Sequence, residues 1–116
     1  MITTRLPGTP LAPKDLSDDR LMHWTEQAAA TLALLQAATE DEDGTVLVHG
    51  DLWLGNLTVE GDDVVGVFDW ELAHRGSRQE DRDFLTEGLV SYLDRDPAFA
   101  ERVRRAVDRG IERPSA

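Results

Sequence analysis

Val46-Leu47-Val48-His49-Gly50-Asp51-Leu52-Trp53-Leu54-Gly55-Asn56-Leu57-Thr58-Val59 is the stretch from which the rest of the chain is read. Val46-Leu47-Val48 is a short apolar run rich in β-branched residues, which predicts a buried strand running directly into the polar group His49-Gly50-Asp51. Leu57-Thr58-Val59 and Val64-Val65-Gly66-Val67-Phe68 flank Glu60-Gly61-Asp62-Asp63, and two apolar runs around a glycine-containing turn predict a β-hairpin. Asp69 follows its second strand at once. Asn56 stands five residues after Asp51 and Asp69 thirteen after Asn56, so the hairpin returns Asp69 toward the place where its first strand began. Two carboxylates and an amide are hard oxygen donors, suited to a Mg²⁺ that keeps waters and substrate phosphates and unsuited to a soft metal. The competing reading is that Asp51, Asn56 and Asp69 only cap turns at strand ends.

Upstream, Ser17 followed by Asp18 and Asp19 predicts a helix N-terminus, with acidic residues facing the positive end of the dipole. Leu21, Trp24, Ala28, Leu32 and Leu35 recur at steps of 3, 4, 4 and 3, which lays one apolar stripe along a helix ending near Ala38. Glu40-Asp41-Glu42-Asp43-Gly44 reads as a solvated turn after it. Downstream of Gly76, two more helical stripes are expected: Phe84, Leu85, Leu89, Tyr92 and Leu93, then Phe99, Val103, Ala106 and Val107, with Pro97 at the first position of the last helix. Pro7, Gly8, Pro10 and Pro13 make residues 1–15 an extended lead-in, residues 16–112 form the folded unit, and 113–116 a frayed tail.

The expected fold class is therefore α+β and mostly helical, in one domain of 116 residues. With 23 acidic against 12 basic residues the net charge is −11, a surface that repels nucleic acid and anionic lipid. The absence of cysteine excludes disulfides, thiolate nucleophiles and Cys-type zinc sites. No apolar run is long enough to span a bilayer, and the first residues lack a secretion signal, so no membrane association and a cytoplasmic location are expected.

The order His-x-Asp-x-x-x-x-Asn, followed across a hairpin by Asp, is the arrangement that kinase-fold phosphotransferases use. His49-Gly50-Asp51-Leu52-Trp53-Leu54-Gly55-Asn56 with Val67-Phe68-Asp69-Trp70-Glu71 resembles the two signature segments of the aminoglycoside phosphotransferase and choline kinase-like family. Gly50, where protein kinases usually carry Arg, and Trp70-Glu71, where they carry Phe-Gly, point to the small-molecule branch. The resemblance covers roughly residues 17 to 95 and implies a protein-kinase-like C-terminal lobe using ATP and Mg²⁺ to phosphorylate a hydroxyl of a small molecule. It implies that Asp51 is the catalytic residue taking the acceptor's proton, that Asn56 and Asp69 hold metal, and that His49 braces the loop. Asp81, with Asp83 as its rival, resembles the acidic residue that opens the next helix and bonds back to the catalytic loop. Glu71 is a possible substrate contact, against the plainer reading of an exposed loop carboxylate, and His74 and Arg75 read as a solvated loop rather than a phosphate site.

The family's N-terminal lobe, with its phosphate-binding lysine, is not found: Lys14, the sole lysine, sits beside Pro13 in no strand-like context and is not assigned that role. The expectation is a truncated lobe of weak activity on its own. Two alternatives stand beside it. One is an inactive lobe acting as a binding module that meets a partner chain, or a second copy of itself, through an exposed apolar patch near Val46 to Val48 or Val64 to Val67. The other is a metal-dependent phosphohydrolase with His49, Asp51 and Asp69 as ligands.

Overall fold

Strand β2, Val46–Val48, leads into His49-Gly50-Asp51, and it does not run alone: β5, His74–Gly76, pairs with it antiparallel, Val46 opposite Gly76 and Val48 opposite His74. The computed structural model describes residues 8–112; the expected tail at 113–116 and the first seven residues of the lead-in lie outside the described residues. The hairpin forms as expected from its glycine. β3, Leu57–Glu60, and β4, Asp63–Val67, are joined through Gly61, whose φ of 61° is the left-handed conformation such a tight turn needs. The register shifts between Thr58 and Val59, which face Gly66 and Val64, so the bulge lies in β4 at Val65. The second strand ends at Val67 rather than Phe68, yet the Phe68 N–H still donates to the Asn56 carbonyl oxygen at 2.9 Å, in register with the Leu57–Val67 pair.

From Gly8 to Asp15 the lead-in is docked on the domain. Its Thr9–Pro10 segment, β1, is a two-residue edge strand against β3, a place where proline's missing N–H costs nothing, and Pro13–Asp15 forms one 3-10 turn.

Three helices carry the core. α1, Asp18–Thr39, starts where Ser17 Oγ accepts the Arg20 N–H at 3.2 Å, and it buries Leu21, Trp24, Ala28 and Leu32 of the expected stripe. α3, Pro97–Glu112, begins with Pro97 as expected and buries Phe99, Val103, Ala106 and Val107 against α1. Gly110 sits so close to α1 that a Cβ there would lie 2.3 Å from the Glu26 carbonyl oxygen. α2, Arg78–Leu93, is the helix whose stripe departs from expectation: Leu85 and Leu89 are buried, but Phe84 and Tyr92 are 39% and 44% exposed. Both aromatics face a surface cleft instead of the core.

The architecture is α+β and mostly helical, with a three-stranded sheet β1-β3-β4 and the separate β2-β5 pair. No described helix is long and apolar enough to cross a membrane. Of the apolar residues in these strands Val46 and Val48 are buried, Val64 and Val67 are half-buried, and Val65 is 37% exposed.

Candidate active site

The loop after β2 is shaped by backbone more than by side chains. Gly50 has φ +90°, and a Cβ on it would meet the Leu72 carbonyl oxygen at 2.5 Å, so only glycine lets the loop pass under the turn that follows Asp69. Before it, His49 is fully buried. Its Nδ1 accepts the Asp51 N–H at 3.1 Å and its Nε2 lies 2.8 Å from the Phe68 carbonyl oxygen. A backbone N–H can only donate and a carbonyl can only accept, which fixes the neutral tautomer with hydrogen on Nε2. Both ring nitrogens are thus engaged by backbone, so His49 has no lone pair for a metal, and the phosphohydrolase ligand set loses a member. Trp70 covers the ring edge-on, centroids 4.5 Å apart, and donates its own indole N–H to Val67 O at 2.8 Å.

Asp81 is 1% exposed in the first turn of α2. Its two carboxylate oxygens accept the N–H groups of His49 at 2.7 Å and Gly50 at 3.1 Å. Asp83, the rival, is exposed and accepts from Gln79 within its own helix at 2.8 Å.

Asn56 links the two halves of the motif. Its Nδ2 donates to the Asp51 carbonyl at 2.8 Å and to an Asp51 carboxylate oxygen at 3.1 Å, while its backbone carbonyl receives the Phe68 N–H. Since both side-chain partners are acceptors, the nitrogen must face Asp51, and the amide oxygen has no donor among the described residues. Asp69 comes next after Phe68, in the left-handed region at φ 66°, a conformation that costs a non-glycine residue about 1–2 kcal/mol. Its exposed carboxylate has no protein partner among the described residues. Asp51, Asn56 and the peptide before Asp69 therefore form one hydrogen-bonded cluster, with Asp51 half-buried.

The remaining candidates lie around this cluster. Glu71 is exposed in a turn closed by the Ala73 N–H donating to Trp70 O at 2.9 Å. His74 and Arg75, expected in a loop, belong to β5; Arg75 donates to Thr45 O at 2.8 Å and pairs with Asp41 at 3.3 Å, which occupies its guanidinium away from the cluster. His74 is held above its ordinary value of 6.5 by the Leu72 carbonyl and then by Glu80, and Glu80 is lowered in turn by His74 and by the Ser77 N–H it caps. Lys14 places its ammonium 5.0 Å from the Tyr92 ring centroid.

Two open clefts flank the cluster, divided by Phe84. One, of about 290 Å³, lies along Gly50, Asp81, Glu80, Asp83 and Glu87. The other, of about 300 Å³, runs from Asp51 past Trp53, Phe84 and Gly88 to Ser91 and Tyr92. These aromatic lining residues were not singled out from sequence as site residues, since Phe84 and Tyr92 fit the apolar stripe of their helix; a glycine within that helix was the available signal.

The model of the phosphotransferase enzyme family matches residues 38–115, well over half of the chain. No curated protein matches. Seventeen solved chains do. One is the macrolide 2'-phosphotransferase MphH from Brachybacterium faecium as apoenzyme, 19% identical with a TM-score of 0.57, the match covering 95% of this chain and 54% of that one. The chain thus spans about half the length of that structure, and the likeness is one of fold. Signature segments, kinase-like fold and family match converge, and the chain belongs to the phosphotransferase enzyme family.

Proposed function

We propose that this chain is the catalytic lobe, residues 16–112, of an ATP-dependent phosphotransferase acting on a hydroxyl of a small molecule. The observation that carries the proposal is Asn56, whose amide holds the Asp51 carboxylate while its backbone holds the peptide preceding Asp69. Phosphoryl transfer demands positioning and charge neutralisation more than covalent chemistry by the protein. Asp51 accepts the hydroxyl proton as the acceptor oxygen bonds to the γ-phosphorus and the bond to the bridging oxygen of ADP breaks. His49 keeps Asp51 aimed by receiving its N–H, and Asp81 holds the two peptides before it.

Asn56 Oδ1 and the Asp69 carboxylate are two hard oxygens without protein donors among the described residues, and they fit Mg²⁺, which takes few protein ligands and keeps waters and phosphate oxygens. The metal, when bound, neutralises charge on the phosphate oxygens. The strain at Asp69 accords with this use, since it sets the carboxylate where no partner among the described residues rewards it. Glu71, exposed at the rim, is a contact for a cationic acceptor. The reaction places the protein in the ATP-rich cytoplasm, and the lobe alone has weak activity, because Lys14 is committed to Tyr92 and the described residues present no other lysine for phosphate.

Calorimetric titration with Mg²⁺ and ATP, alongside Asp69→Ala and Asp51→Asn, tests this. Weak metal-dependent nucleotide binding that Asp69→Ala removes and Asp51→Asn retains is the expected result. Binding that ignores Asp69→Ala refutes the assignment.

A further inference from the structure

Two glycines lie in the long helices, Gly88 inside α2 and Gly110 in the last turn of α3, and packing accounts for one. A Cβ at Gly110 would collide with backbone, whereas a Cβ at Gly88 would lie 3.4 Å from Trp53 Cβ and 3.6 Å from the Phe84 ring, which are ordinary contacts. Alanine therefore fits at position 88 and is the better helix former. What glycine leaves open there is the floor of the 300 Å³ cleft whose far end is Asp51.

The walls are equally unexplained by folding. Phe84 and Tyr92 are more than a third exposed on a helix that buries Leu85 and Leu89. Trp53 leans on Tyr92 with centroids 4.7 Å apart, presenting aromatic surface beside a half-buried carboxylate. Asp51 is the one charged residue among the lining groups. Aromatic walls suit the C–H face of a ring, and the Asp51 carboxylate, held by the Asn56 amide with no ion pair among the described residues, disfavours an anion. The volume is near the lower end for small-molecule sites, enough for one or two rings.

We infer that Gly88, with Trp53, Phe84 and Tyr92, sets acceptor specificity: it keeps open a subsite for one ring face of a neutral or cationic alcohol whose hydroxyl reaches Asp51. The inference rests on the phosphotransfer reading above. The face across α2 from this cleft, lined by acidic Glu80, Asp83 and Glu87, reinforces the exclusion of anions.

The test uses the full chain labelled with 5-fluorotryptophan, in which Trp24, Trp53 and Trp70 report the core, the cleft and the Asp69 side in one ¹⁹F NMR spectrum. The probes are 4-nitrophenyl glucoside and the equally shaped but anionic 4-nitrophenyl glucuronide. The Trp53 resonance shifts saturably with the glucoside and about tenfold less readily with the glucuronide. Gly88→Ala weakens glucoside binding about tenfold while raising Tm, and Gly88→Leu abolishes it with the Trp24 signal unchanged. A Trp53 signal that ignores the glucoside, or binding that survives Gly88→Leu, overturns the inference. If Trp70 then still responds to Mg²⁺ and ATP, the phosphotransfer reading stands without it. A Trp53 response with no nucleotide response overturns the acceptor role and the reading beneath it.

Discussion

Replacing Asp81 by alanine isolates the brace that the structure places under the catalytic loop. The carboxylate is 1% exposed and is the acceptor for two N–H groups, of His49 at 2.7 Å and Gly50 at 3.1 Å. Each buried donor left unpaired costs about 1–3 kcal/mol, so the two together come to about 2–6 kcal/mol. Water reaching the half-buried Gly50 side recovers part of this, which places the expected loss near 3 kcal/mol. For a domain of this size that is a fall in Tm of about 10 °C, against a total stability of about 5–15 kcal/mol, so the variant still folds. Asp81→Asn keeps one acceptor oxygen but turns an N–H toward the other donor, and should lose about half as much. Asp83→Ala is the internal control: that carboxylate is exposed, and its loss should stay within about 0.5 kcal/mol. Urea unfolding measures all three, and amide exchange at His49 and Gly50 locates the effect. If Asp81→Ala and Asp83→Ala unfold at the same midpoint, the brace is not where the loop's stability lies.

Gly110→Ala should destabilise by about 1–3 kcal/mol, because its Cβ meets the fixed carbonyl of Glu26 rather than a side chain that can turn aside, whereas Gly88→Ala should gain about 0.5–1 kcal/mol; thermal melts that order the two the other way refute the packing account. The His74–Glu80 pair should make stability depend on pH in two places. His74 is raised above 6.5, so its contribution is full below 6.5 and fades as pH rises through the raised value; Glu80 is lowered below 4.5, so its contribution is present above 4.5 and is lost as pH falls through the lowered value. The Tm difference between the native chain and His74→Gln should be larger at about pH 5.5 than at about pH 8.5, and a difference independent of pH excludes the pairing as a source of stability.

Several features were readable from the chain because their causes are local. Ser17 caps α1 through its own hydroxyl three residues on, Gly61 permits the hairpin turn by its own φ, and Pro97 opens α3 by its own ring. The signature residues were legible for the same reason, being two short segments at defined spacing. β5 was not, since His74-Arg75-Gly76 has no alternation of its own and is a strand only because β2 supplies its partners. Phe84 and Tyr92 fit the helical period of α2 as well as Leu85 and Leu89 do, and only the placement of α1 and α3 decides which side of that helix is inward.

What the sequence by itself determined is the three helices, strand β2 and the β3–β4 hairpin, their order and the family of chemistry, because caps, turns and apolar periods act within a few residues. Tertiary structure alone decided which of Asp81 and Asp83 braces the loop, which aromatics line a cleft, and that Asn56 ties Asp51 to the approach of Asp69. Each depends on a partner tens of residues away or across a packed face, as with Asp81 and His49 at a separation of 32. Such contacts form only after non-local packing has oriented both sides, so no single stretch of sequence carries them.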